Sequence, residues 1–388
     1  MKTTLKVILI GVVLLVSAGQ AFAYPPDNAA VLYYKSLMLM EEPNDALGKI
    51  LAAVRHGEAR PDNQVRQYVE RNGKVIKEIV TAAEIKSCDW GLNYSDGLAM
   101  LMLPYAKLTS VAFLLAADVK VLAEKGDYRT ALERCITIHK IGIHLGDDIL
   151  ISRLYGNAIG GLANRCIVDI LPLVSNDTET LQRLRVKLVD ISRSCPSMKA
   201  AIGNDAKVFL GSSINRGEII EAAHKSGLSK GDMDKADEIF RQHDDNEFYV
   251  RATKYYQSII TRIQSVYDLP YPQAKQAQED LNKEVENAAK EKPEVFMAEV
   301  MLPAINRVLT TDTRDKTQFN AVLVGIDIYL IRAKTGKLPD ELPAGLPKDM
   351  FSGKDFLYAK TDAGFTLTGQ GKDLDKDIEQ KYEFKVAK

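Results

Sequence analysis

The stretch AEKGDYRTALERCITIHKIGIHLGDD, residues 123–148, carries apolar side chains at helical spacing between two glycine–acid breaks, Gly126-Asp127 and Gly146-Asp147-Asp148. Apolar residues recurring three and four apart bury one stripe of a helix; a strand would need alternation, which is absent here. Glycine at each break suits a helix C-cap, where left-handed backbone meets no side-chain clash. The acids that follow suit the free N–H groups and positive dipole end of the next helix. Three helices folded against one another are expected: Leu98 to Lys125, a second ending at Leu145, and Asp147 to Leu171, stopped by Pro172.

The first of these needs its own argument. Gly97 to Ala117 holds a single charge, Lys107, and matches the roughly 20 residues of a membrane span. Pro104, Thr109 and Ser110 interrupt it, and Asp118 and Lys120 follow. It reads as a helix buried on nearly all sides at the centre of a helical body.

The same punctuation runs through most of the chain. Helices are expected over Asp27–Met40, Asn44–Arg55, the run from Ser175 to Pro196, Pro196–Lys225, Lys230–Gln242, the run before Pro270, the charged run after it, Glu294–Leu309 and Asp315–Lys334. Residues 60–86 are ambiguous, because Asn72-Gly73 is equally a hairpin turn between QVRQYVE and KVIKEIV. KGDYRTALERC resembles the helix start of a tetratricopeptide repeat, with Tyr128 and Ala131 as the interlocking pair, but the segment one period of about 34 residues onward shares nothing with it. The expectation is an all-α chain of about a dozen helices, an irregular or repeat-like body.

From Gly336 onward prolines and glycines crowd in, then Phe356, Tyr358, Phe365 and Leu367 alternate around Thr361-Asp362-Ala363-Gly364. A period of two across a turn predicts a small β-hairpin. The expected organisation is residues 1–23 as a leader, 24–96 as an N-terminal helical region, 97–335 as the central body and 336–388 as the loop and hairpin segment.

The leader is read from Lys2 and Lys6, the apolar run Val7–Val16 and the Ala21-Phe22-Ala23 site, with Pro25 and Pro26 following. These are the three parts of a secretory signal, so cleavage near Ala23 and a periplasmic or secreted chain are expected. Lys and Arg number 51 against 52 Asp and Glu. That balance argues against a nucleic-acid partner, which would need a basic stripe. Cys88, Cys135, Cys166 and Cys195 contain no C-x-x-C pair, which removes the usual zinc and thioredoxin readings. Export permits disulfides. In an antiparallel pair with its turn at 145–148, Cys135 and Cys166 would stand roughly 12 Å apart in level, too far to bridge, at 1.5 Å per residue.

Few motifs carry chemistry. Gly156 and Gly160 share a helix face and suggest close helix contact, beneath the Leu98–Lys125 helix, or a ligand pocket. His139 and His144 are five apart and fall on different faces, which disfavours a metal. His243, Asp244, Asp245 and Glu247 read as a helix cap. Asp373, Asp375 and Asp377 alternate in GKDLDKDIE, a spacing that could wrap Ca²⁺, with Ile378 where an EF-hand has glycine. Calcium is the one cofactor considered, and no residue is assigned a catalytic role; no G-x-S-x-G, Walker A or complete G-x-G-x-x-G occurs.

AKTGKLPDELP followed by PKDMFSGKDFLYAKTDAGFTL, with Pro347, Asp349, Phe351, Ser352, Gly353 and Lys354, resembles the close of a family of secreted, mostly helical bacterial proteins. CDWGLNYSDG, GDYRTALERC and YDLPYPQAKQA are similar to the same family. The last 50 or so residues also resemble the end of type II secretion pseudopilin domains, some of which bind calcium there; the A-x-A leader lacks a pilin processing site. The resemblance implies a fold and no activity. The expected role is a non-catalytic interaction or scaffold protein of the cell envelope whose partner is another envelope or secreted protein. An envelope-directed hydrolase with carboxylates in an inter-helix groove is the alternative.

Overall fold

The computed structural model describes residues 26–94, 104–146, 149–211 and 245–386, with a few positions between 231 and 243. It is 69% helical with a small three-stranded antiparallel sheet at the C-terminus. The helices are α1 (Ala29–Leu39), α2 (Asp45–His56), α3 (Asn63–Arg71), α4 (Gly73–Glu84), α5 (Tyr105–Glu124), α6 (Tyr128–Leu145), α7 (Leu150–Ile170), α8 (Thr178–Ser194), α9 (Met198–Gly211), α10 (Asn246–Val266), α11 (Tyr271–Ala288) and α12 (Phe296–Thr335).

Short polar side chains start these helices. Asn44, Asp62, Asp127, Asp177 and Asp245 each accept a hydrogen bond from the backbone N–H three residues on. Each satisfies a donor the helix itself leaves free, for about 1 kcal/mol. Gly57, Gly126 and Gly336 stop helices in the left-handed conformation. Gly146 ends α6 at φ −88°, outside the left-handed conformation expected of it; a Cβ there would instead meet the Gly142 carbonyl oxygen at 3.0 Å and the Arg153 side chain at 3.3 Å. Asp147, Asp148 and residues 97–103 of the expected central helix lie outside the described residues.

Residues 60–86 are helical. Asn72 turns the chain between α3 and α4 as a buried bracket: its Nδ2 donates to the Tyr68 carbonyl at 3.1 Å and its Oδ1 accepts from Glu41 N at 3.0 Å. The two helices expected at Glu294–Leu309 and Asp315–Lys334 are one rod, α12, about 60 Å long at 1.5 Å per residue. No glycine or proline interrupts residues 309–316, and Thr311, Thr313 and Thr317 turn their hydroxyls back onto carbonyls four residues earlier. The expected hairpin is β1 (Leu357–Thr361) with β2 (Gly364–Asp373), and β3 (Ile378–Lys385) adds a third strand beside β2.

Two large hydrophobic clusters, with two smaller ones beside them, hold the described residues together. One joins α1–α8 to the second half of α12, where Ala321 to Tyr329 meet Phe356, Phe365, Leu367 and Phe384 of the sheet region. The other gathers α9, α10, α11 and the first half of α12, including Phe248, Ile263, Leu281 and Ile305. The rod passes from one to the other.

The closest helix pair is α6 with α7, and glycine sets its register. A Cβ on Gly156 would stand 2.4 Å from the Gly142 carbonyl oxygen and 3.2 Å from Gly146 Cα. The close helix contact expected of Gly156 is therefore made with α6 rather than with the Leu98–Lys125 helix. This register also overturns the expected separation of Cys135 and Cys166. With 142 opposite 156 and 139 near 160, the two thiols face one another in hydrogen-bonding contact, both buried and both free. The difference arises because the pairing of 142 with 156 centres on Ile149 rather than on residues 145–148, so Cys135 and Cys166 differ in level by about three residues, roughly 4.5 Å at 1.5 Å per residue.

Candidate functional site

Where α12 crosses from one cluster to the other it faces the glycine seam of α6 and α7, and a cavity of about 260 Å³ opens between them. Its walls are Gly142 and His139 from α6, Arg153, Asn157, Gly160 and Asn164 from α7, Ile191 and Ser192 from α8, Cys195, and Asp312, Asp315, Lys316 and Phe319 from α12. Arg153, Asn157, Gly160 and Asn164 recur at helical spacing, so one face of α7 presents a polar row over a glycine floor.

Five buried polar atoms around this cavity have no partner in full hydrogen-bond geometry, His139 Nε2, Arg153 Nε, Asn157 Nδ2, Asn164 Oδ1 and Asp312 Oδ1, although the His139 ring interacts with Asn164 and the Asn157 amide with the Asp315 carboxyl. Buried polar groups are nearly always paired, because leaving one unsatisfied costs about 1–3 kcal/mol. Their concentration in one cavity supplies two acceptors, two donors and an imidazole nitrogen able to serve as either.

His139 is 5% exposed, lies under Gly160 and meets the edge of the Phe319 ring at 5.6 Å. Burial pushes its pKa down to about 4, so the ring is neutral. Asp312 pairs with Lys316 at 2.6 Å through one oxygen only. One turn on, Asp315 is raised to about 6, by burial first and by the Asp312 charge next, with Arg314 and Arg153 opposing. Its carboxyl therefore exchanges a proton close to neutral pH. Arg153, 4% exposed, donates from Nη2 to Cys195 Sγ at 3.0 Å.

A larger groove of about 680 Å³ lies beyond Ile143 and Ile191. Among the described residues none of its buried polar atoms is without a partner, and its main charged groups pair among themselves: Lys140 with Glu84 at 2.7 Å and Lys187 with Glu133, while His144 Nδ1 meets the Tyr33 hydroxyl at 3.0 Å. It presents a surface that is already self-satisfied, so the smaller cavity is the stronger site.

The residues singled out for calcium stand elsewhere, and each faces its own cation. Asp373 is fully buried and takes two hydrogen bonds from Arg314; Asp375 meets Lys275 at 2.5 Å; Asp377 meets Lys372 at 2.9 Å. Among the described residues no group of three or more His, Cys, Asp or Glu is gathered as a metal site. Asp245 caps α10, as expected of RQHDDNEFY, while Asp244 lies outside the described residues.

Of the residues singled out in the sequence, Gly156, Gly160, His139 and Cys195 belong to the cavity. Arg153, Asn157, Asn164, Asp312 and Asp315 were missed. Asp312 fell in the polar gap read between two helices and Asp315 at the first position of the second; their signal was polar residues at helical spacing with no breaker between the flanking apolar runs. No protein-family model, curated protein or solved structure matches this chain.

Proposed function

We propose that this is an exported protein that binds a small polar molecule in the cavity between α6, α7 and α12. The observation that carries the reading is the set of unpartnered buried donors and acceptors around one cavity: a ligand with both N–H or O–H donors and oxygen acceptors would satisfy them. Asp312 and Asp315 are carboxylates in an inter-helix groove, the setting the hydrolase alternative asks for. They stand on one wall, a turn apart on the same helix, whereas glycoside hydrolysis needs its acids on either side of the scissile bond. Binding without turnover is therefore favoured.

The test is mass spectrometry of small molecules released from protein purified out of the envelope fraction, followed by titration of whatever is found. Affinity should fall about tenfold or more in Asn164→Leu, the loss of one well-placed hydrogen bond to a buried partner. A protein that carries nothing and is stabilised by no member of a broad metabolite library overturns the reading. Steady chemical conversion of a bound compound would move the hydrolase ahead.

The interaction role keeps one specific support. Val31, Met38 and Leu39 form an exposed apolar row on α1, with Met38 86% exposed. Exposed apolar patches mark interaction sites, and another envelope protein is the proposed partner. A partner recovered with the natural chain and lost with Met38→Glu would support this second reading; equal recovery with both would remove it.

A further inference from the structure

We infer that Cys195 is a covalent modification site, a thiol placed to form a mixed disulfide with a small disulfide-containing molecule at the mouth of the cavity. Of the four cysteines it is the exposed one; Cys135 and Cys166 are buried against each other and Cys88 is half-buried. Its sulfur takes a hydrogen bond from Arg153 Nη2 at 3.0 Å. Arg153 is itself buried, packs across Gly146 and forms no ion pair with a carboxylate among the described residues. Its Nε has no partner in full hydrogen-bond geometry, and neither does His139 Nε2 in the same cavity.

The Asp315 charge lies within electrostatic reach of this buried guanidinium but forms no ion pair with it among the described residues, and the electron-rich atom in direct hydrogen-bonding contact is the Cys195 sulfur. Disulfide exchange proceeds by thiolate attack, and a cation beside the sulfur is the setting in which such attack is selective. The Cys195 proton passes to solvent, its sulfur attacks one sulfur of R–S–S–R, and a Cys195–S–S–R bond forms as the original S–S bond breaks. The departing R–S⁻ leaves with the electron pair and is protonated by water. Cys195 is oxidised, the departing sulfur is reduced, and the small disulfide is the oxidant. The inference leans on the proposed cavity only for the room the added group needs.

The test uses the full chain isolated without reductant, treated with bis(2-hydroxyethyl) disulfide and followed by intact mass and peptide mapping. Cys195 should be labelled about tenfold faster than Cys88, and about tenfold faster than the same cysteine in the urea-unfolded chain. Cys195→Ser should remove the fast adduct and Cys88→Ser should leave it. Arg153→Met, with its helicity checked by circular dichroism, should bring the rate down to that of the unfolded chain. A native rate at or below the unfolded rate, or labelling of Cys88 first, overturns the inference. Adduct formation in a protein that takes no polar ligand would sink the proposed function alone; ligand capture with an inert Cys195 would sink this one alone.

Discussion

Gly156 and Gly142 touch through their backbones: a methyl group on Gly156 would lie 2.4 Å from the Gly142 carbonyl oxygen, whereas one on Gly160 would meet only the His139 ring, at 3.6 Å. Two glycines one turn apart thus do different work. The first lets the helices meet, and the second leaves space above a side chain.

Gly156→Ala is expected to destabilise the protein by about 2–3 kcal/mol, because backbone cannot withdraw as a flexible side chain can. Gly160→Ala should be neutral or stabilising by up to about 1 kcal/mol, since alanine is the better helix former and the contact is ordinary. The same methyl would narrow the cavity and weaken ligand binding. Urea unfolding of both variants checks the pair; similar losses would mean that the glycine seam does not set the helix contact.

Acid should act on this protein through two opposed sets of groups. Burial holds His139 and His144 down to about 4, so the folded chain refuses protons that the unfolded chain accepts below its ordinary value of 6.5. Their contribution to stability is complete above pH 6.5 and is lost as pH falls from 6.5 to 4. Burial raises Asp205 and Asp315 to about 6 from 3.8, so the folded chain binds protons first and regains stability as pH falls from 6 toward 3.8. The natural chain should therefore change little between pH 6 and 4. An Asp205→Asn/Asp315→Asn protein should lose stability steadily over that window, by up to about 1.4 kcal/mol per pH unit for each histidine. Urea midpoints at pH 7, 6, 5 and 4 decide it, and parallel curves for the two proteins would refute the balance.

Arg314→Met should cost about 3–5 kcal/mol, since it leaves Asp373 fully buried without its counter-charge. Arg314→Met with Asp373→Asn should recover part of that loss, which a thermal-melt double-mutant cycle would show.

Millimolar calcium should leave the melting midpoint of the natural chain unchanged, because Asp373, Asp375 and Asp377 would have to abandon Arg314, Lys275 and Lys372 to converge on an ion. A rise in midpoint that grows with calcium concentration would restore the metal reading.

Helix type and helix ends were legible where a local signal exists. Asp127, Asp177 and Asp245 announce starts, Gly57 and Gly126 announce stops, and the alternation around Phe365 announces β1 and β2. What could not be read depends on distant partners. Asn72-Gly73 carries a hairpin signal that a buried side-chain bracket overrides. β3 was missed because IEQKYEFK buries only Phe384, which stacks on Phe365 at 4.9 Å and fills the space beside Gly325. The cavity was hidden for the same reason: its polar row on α7 is distinguishable from a solvated face only once α12 is laid across it.

The rod formed by residues 296–335 holds shares in both hydrophobic clusters. Neither cluster can melt without stripping apolar contacts from a helix the other still needs, so heat should release the pair together as one calorimetric event. A crossing molecule lodged beside Asp312 and Asp315 would sit at the point where that mechanical continuity is greatest, and its arrival would be felt by both halves at once.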